Sequence, residues 1–220
     1  AATKAPLVDG ALAAADRALG FDWLQWFTWV HSRPVLTIAL HAAYDAAGPA
    51  IIVLPLYFAL SGQPERNSEF LWLLIVSVVL IIPLSGLMPG AGAFVFYGVA
   101  DQAYAPFVPE FAAIRRGEIH DLALTHLQGI VTFPSFHTTL ALLFPYVLRK
   151  SRVLCAIASL VCAAMLVAIP SEGGHYLVDV IAGALVAVAA IWATARIEAA
   201  LASRQAKAAA VSAGAGINRI

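Results

Sequence analysis

The sequence predicts an all-α, polytopic membrane helix bundle of about five to six transmembrane helices, with an interfacial helix at its N-terminus. Three observations carry that prediction. Of the 220 residues, 61% are hydrophobic and 12% charged, roughly half the charged share of an ordinary soluble domain, and mean hydropathy is +0.84. Apolar runs recur at lengths matched to the ~30 Å hydrocarbon layer. The aromatic stretch "FDWLQWFTWVHSRP" precedes the first run. It is too short to span, and its Trp side chains suit the headgroup level.

Taken in order, residues 1–20 are Ala-rich with scattered charge and read as a surface helix. With the aromatic stretch they make an N-terminal segment, 1–33. The membrane domain, 34–195, holds five runs at 34–60, 69–88, 130–149, 152–170 and 175–195. Between the second and third lies a mixed segment, 89–129, with an in-plane or re-entrant helix expected near 91–104. The tail, 196–220, reads as a frayed cytoplasmic helix bearing Arg196, Arg204, Lys207 and Arg219. Formal net charge is zero, so nothing points to a nucleic-acid partner. Cys155 and Cys162 share one helix face and read as packing residues. The printed start lacks both Met and a secretion signal, and reads as a processed or trimmed end.

Orientation follows from the turns. "LRKSR" places Arg149, Lys150 and Arg152 in one tight turn, and Arg66 lies in another. Positive turns stay inside. Residues 134–137, 173–175 and the whole of 89–129 then share the outer face. Arg115 and Arg116 fall on that side too, either as a solvated turn or as a bidentate clamp for an anion.

Two motifs carry chemistry. In "GGHYLVD", His175 and Asp179 are i and i+4, so their Cβ atoms lie about 5–6 Å apart on one helix face. A carboxylate bonded to one ring nitrogen fixes the tautomer and leaves the other lone pair free to attack. Gly173 and Gly174 let backbone approach a ligand closely. The bland reading is a His–Asp pair tying helices together. In "TFPSFH", Pro134 suits a first helical turn and Thr132 or Ser135 suits its cap. His137, in that turn, suits a proton donor to a leaving oxygen; alone, it reads as well as a snorkelling side chain. Two helix starts on one face also favour a bound anion. Together these groups describe phosphoryl transfer through a phosphohistidine, with no metal and no cofactor required.

"PSFH" followed by "GGHYLVDVIAG" resembles the second and third signature motifs of the type-2 phosphatidic acid phosphatase superfamily. The "HYLVDV" form is similar to the branch holding inositol phosphorylceramide synthases and sphingomyelin synthases. The resemblance implies a bundle of about six helices with an outward-facing site. It makes His175 the nucleophile, Asp179 its orienting partner and His137 the acid, with Ser135 near the phosphate. The expected substrate is a lipid phosphate, and the expected location a bacterial inner membrane with the site facing the periplasm. Two departures stand out. Trp26 occupies the lysine position of a first motif that would end at Arg33-Pro34, and Ile169 stands where the third motif has its arginine. Phosphate clamping therefore passes, on charge and side alone, to Arg115 and Arg116, with Gly174 beside them. The rival readings are a catalytically degenerate accessory subunit of a membrane complex and a proton-relay transporter.

Two further clusters hold ionisable side chains. His41 and Asp45, i and i+4 in the first run, are expected to face the bundle interior in a supporting or structural role. His120, Asp121 and His126 lack the compact spacing of a metal site.

Overall fold

The computed structural model describes residues 5–99, 108–118 and 132–217. Among them are ten helices and no strands: α1 (Asp9–Ala18), α2 (Trp23–His31), α3 (Pro34–Asp45), α4 (Ala47–Leu60), α5 (Pro64–Leu87), α6 (Ala93–Phe96), α7 (Val108–Arg116), α8 (Phe136–Val147), α9 (Arg152–Glu172) and α10 (Leu177–Ile217).

Local chemistry sets several boundaries. The Asp22 side chain accepts from the Gln25 N–H at the start of α2, and Ser151 caps α9 by accepting from Leu154. Pro34 and Pro64 open α3 and α5, where a missing N–H costs nothing. The run 34–60 is broken into α3 and α4, which meet at 42°. Pro49 lies in the first turn of α4 and cannot donate back across the break, which accounts for the bend.

Three helices, α5, α9 and the Leu177–Arg204 part of α10, are long and apolar enough to cross a bilayer; the bent α3–α4 pair makes a fourth if counted as one span. The run 130–149 behaves differently from the expected span. Its helix, α8, has 12 residues, a length of about 18 Å. Its apolar character is spent on protein: α8 packs against α4, α5, α9 and α10. Leu140, Leu143, Phe144 and Val147 meet Leu54, Phe58, Phe70, Leu73, Met165, Ile169, Ala187 and Ala190 in the main core.

A second core covers one end of the bundle. There Trp23 and Phe27 of α2 stack at 5.2 Å and join Leu12, Ala13, Phe94 and Tyr176. The expected surface helix is thus part of the packed body. Asp9, Leu12, Ala13 and Asp16, at helical spacing, form one buried face of α1. The expected frayed tail instead continues α10 without a break to Ile217.

The opposite end is charged. Glu69 accepts from Arg66 Nη1 and Arg149 Nη2, each at 2.6 Å, which ties the start of α5 to the residues just after α8.

Candidate active site

The site sits where α8 begins, α9 ends and α10 begins. His175 Nδ1 lies 3.3 Å from Asp179 Oδ2, and both residues are buried. The same oxygen accepts the Tyr176 N–H at 2.9 Å, so Asp179 also closes the first turn of its own helix. Its other oxygen, Oδ1, is buried without a hydrogen bond among the described residues, as is Thr138 Oγ1. With Nδ1 turned to the carboxylate, Nε2 of His175 holds the free lone pair.

His137 enters from the first turn of α8, capped by the fully buried Ser135, whose Oγ accepts from Thr138 N. The Ser135 N–H donates to the Asp179 carbonyl at 3.1 Å, and Thr139 Oγ1 donates to the Gly183 carbonyl at 2.9 Å. These bonds lock the start of α8 to α10. Tyr44 reaches the surroundings of both imidazoles. Its ring stacks on His137 with centroids 4.1 Å apart and planes 16° apart. Its hydroxyl lies 2.7 Å, and His175 Cδ2 2.9 Å, from the point a side chain on Gly173 would occupy.

Gly174 has φ +61°, in the left-handed region, and a Cβ there would run into the Phe94 ring. Its carbonyl accepts the Ala93 N–H at 2.7 Å. The turn before His175 is therefore fixed by α6, while Trp23 Nε1 donates to the Pro170 and His175 carbonyls at 3.0 Å each.

Two buried carboxylates absent from the sequence reading complete the frame. Asp16 accepts the Leu177 and Val178 N–H groups at 2.9 Å each, capping α10 from another helix. Asp9 accepts the Ala91 and Gly92 N–H groups at 2.9 Å and the Tyr176 hydroxyl at 3.1 Å. Burial pushes the Asp16 carboxyl above the usual carboxylate range, against the lowering pull of its two N–H donors. Burial and then the Asp9 carboxylate hold the Tyr176 phenol far above its usual range, so it remains a donor. The available signal was the spacing of 9, 12, 13 and 16, which puts two carboxylates on an apolar helix face. The start of α10 is thus not open to an anion as expected, because Asp16 already holds those N–H groups.

The remaining candidates have protein contacts of their own. Arg115 Nη2 donates to the Ala5 carbonyl at 2.9 Å, and Arg116 grips Glu118 through Nε and Nη2 at 2.5 and 2.8 Å. Arg33 stacks on Trp29 at 4.3 Å. His41 and Asp45 do not face the interior: their side chains are 62% and 64% exposed. The break after Asp45 leaves the pair at a helix end, and the His41 ring ties α3 to Glu172, with Nδ1 3.2 Å from Oε2. His120, Asp121 and His126 lie outside the described residues. Among the described residues no group of three His, Cys, Asp or Glu is arranged to hold a metal ion.

A nucleophile-grade His–Asp pair, a second imidazole beside it and a buried, hydrogen-bonded frame suit displacement at phosphorus. The family model described as the PAP2 superfamily matches residues 10–193, a range that takes in α1 from its second residue, Asp16 included, as well as the two histidine motifs. No curated protein and no solved structure matches the chain.

Proposed function

The chain belongs to the PAP2 superfamily, and on that premise we propose that it is an integral membrane enzyme that cleaves or transfers the phosphoryl group of a lipid phosphate through a phosphohistidine on His175. Membership gives the coarser statement, phosphatase-type chemistry on phosphate esters. The observation that carries the finer one is the buried 3.3 Å His175–Asp179 pair, with Tyr44 stacked on the His137 ring and reaching the turn before His175.

In this reading His175 Nε2 attacks phosphorus in line, and the bond from phosphorus to the alkyl oxygen breaks. The negative charge of the bound phosphate favours the protonated form of the buried His137, which gives its proton to the departing alkoxide, while Asp179 holds the Nδ1 proton and the positive charge that develops on the His175 ring. Neutral His137 then takes a proton from water or from an alcohol acceptor. The acceptor oxygen attacks the phosphohistidine, the N–P bond breaks, and His175 is restored. Water yields inorganic phosphate, whereas an alcohol yields its own phosphomonoester; a phosphodiester product, as from a synthase-like enzyme, would need a substrate whose phosphate already carries a second ester. Phosphate contacts fall to Ser135, Gly174 and the Arg115–Arg116 pair, which would exchange Ala5 and Glu118 for substrate oxygens. The site end faces outward, away from the positive turn at Arg149–Arg152.

One observation favours a second reading, a degenerate accessory subunit. Both candidate clamp arginines have protein partners, and Asp16 fills the start of α10. A single comparison separates the two. The protein is purified in detergent and given dioleoyl phosphatidic acid with and without an alcohol acceptor, beside His175→Ala. Inorganic phosphate, or the phosphomonoester of the alcohol, formed by the parent and reduced by at least ~10³-fold in His175→Ala is the expected result. Equal rates in the two proteins, or none in the parent, favour the accessory reading.

A further inference from the structure

We propose that Tyr44 is a positioning residue that sets the plane of the His137 imidazole and its distance from the His175 turn. This rests on the reading above, in which His137 protonates the leaving oxygen. Three observations converge on it. The Tyr44 ring lies nearly parallel to that of His137, at 16° and 4.1 Å, close enough to forbid rotation of the imidazole about its own bond. The hydroxyl end of the same side chain abuts Gly173, where it and His175 Cδ2 flank one point. Tyr44 is therefore a spacer with one contact on each imidazole's support. Its own helix is fixed there by the His41–Glu172 bond, one residue before Gly173.

This arrangement gives the exposed His41 a role that neither proton relay nor metal binding supplies. It anchors α3 at residue 172, and Tyr44, three residues on and on the neighbouring turn, then lands on His137. Proton delivery to an alkoxide is steep in distance and angle, and a misplacement of about 1 Å costs on the order of a hundredfold. Substrate binding depends less on that ring. A loss of positioning therefore appears in kcat rather than in KM.

The test compares Tyr44→Leu and Tyr44→Phe with the parent on dioleoyl phosphatidic acid, whose alkoxide needs a proton, and on 4-nitrophenyl phosphate, whose phenolate does not. On each substrate kcat is read as the single-turnover rate of leaving-group release, before the phosphohistidine step that both substrates share. Tyr44→Leu is expected to lower kcat on the lipid on the order of tenfold to a hundredfold, with KM nearly unchanged and a much smaller loss on the aryl ester. Tyr44→Phe, which keeps the ring, is expected to recover most of that kcat. The His137 ring-proton resonances, assigned through His137→Gln, are expected to move downfield in Tyr44→Leu alone as the ring current is lost. An unchanged kcat in Tyr44→Leu overturns the proposal, as does an equal loss on both esters or in both variants. A parent that turns over neither ester overturns the functional reading itself, and the proposal with it.

Discussion

A side chain on Gly183 would run into the carbonyl oxygen of Ser135 and the Cβ of Thr138. That crowding is the reason α8 and α10 approach closely enough for Thr139 to reach the Gly183 carbonyl and for Ser135 N–H to reach the Asp179 carbonyl. Both imidazoles depend on this seam, His137 from one helix and His175 from just before the other. Gly183→Ala forces the helices apart and is expected to cost about 1–3 kcal/mol of stability. It is also expected to lower kcat on phosphatidic acid by more than it lowers the folded fraction. Thermal unfolding in detergent and a rate assay on the same sample check this; a variant with parental melting and parental kcat contradicts it. Gly174 is under a different constraint, since its backbone adopts φ +61° and faces the Phe94 ring. The sequence singled out Gly174 by its neighbours in "GGH", but Gly183 looks like any small residue in an apolar run.

At the scale of the element, α1 acts as a strap. Its two buried carboxylates, seven residues apart, hold the turn at 91–92 and the start of α10. Replacing Asp16 with Ala strands two part-buried N–H groups and is expected to cost about 2 kcal/mol. The charge itself has a pH signature. Burial raises the folded-state value above the ordinary 3.8, so between the two values the folded chain binds the proton more tightly than the unfolded one. Asp16's contribution is then complete below 3.8 and declines as pH rises through the folded value. In Asp16→Asn, an acceptor without the charge, the fall in melting temperature across that window should be absent. Parallel pH profiles for parent and Asp16→Asn would assign the slope to another group. Element α8 shows the opposite lesson about length. Its twelve residues are mostly apolar and look like a short span, yet four neighbouring helices cover them, and the two ends, about 18 Å apart, carry the site and the Glu69–Arg149 tie.

Across the whole molecule, the aromatic and carboxylate-rich cap lies at one end and the Arg66–Glu69–Arg149 cluster at the other. A cap that faces outward predicts a labelling pattern. In a chain with Cys155 and Cys162 replaced by Ser, Lys150→Cys should react with a membrane-impermeant maleimide only after the membrane is opened. Glu118→Cys should react in intact cells or spheroplasts. The reverse pattern inverts the orientation. The sequence alone was enough for membrane character, for the His175–Asp179 pairing and for a helix start just after Pro134, though it placed His175 inside the helix that begins only at Leu177. Each of these depends on composition or on residues within one or two turns, where helical geometry leaves little freedom. Only the tertiary structure decided that Asp16 occupies the start of α10, that Tyr44 lies on His137, and that His41 and Asp45 turn outward at a broken helix. Those contacts join residues from about 90 to 160 positions apart, or depend on how a bend re-aims a helix face. Local periodicity is the same whichever partner eventually fills an N–H group or covers a ring.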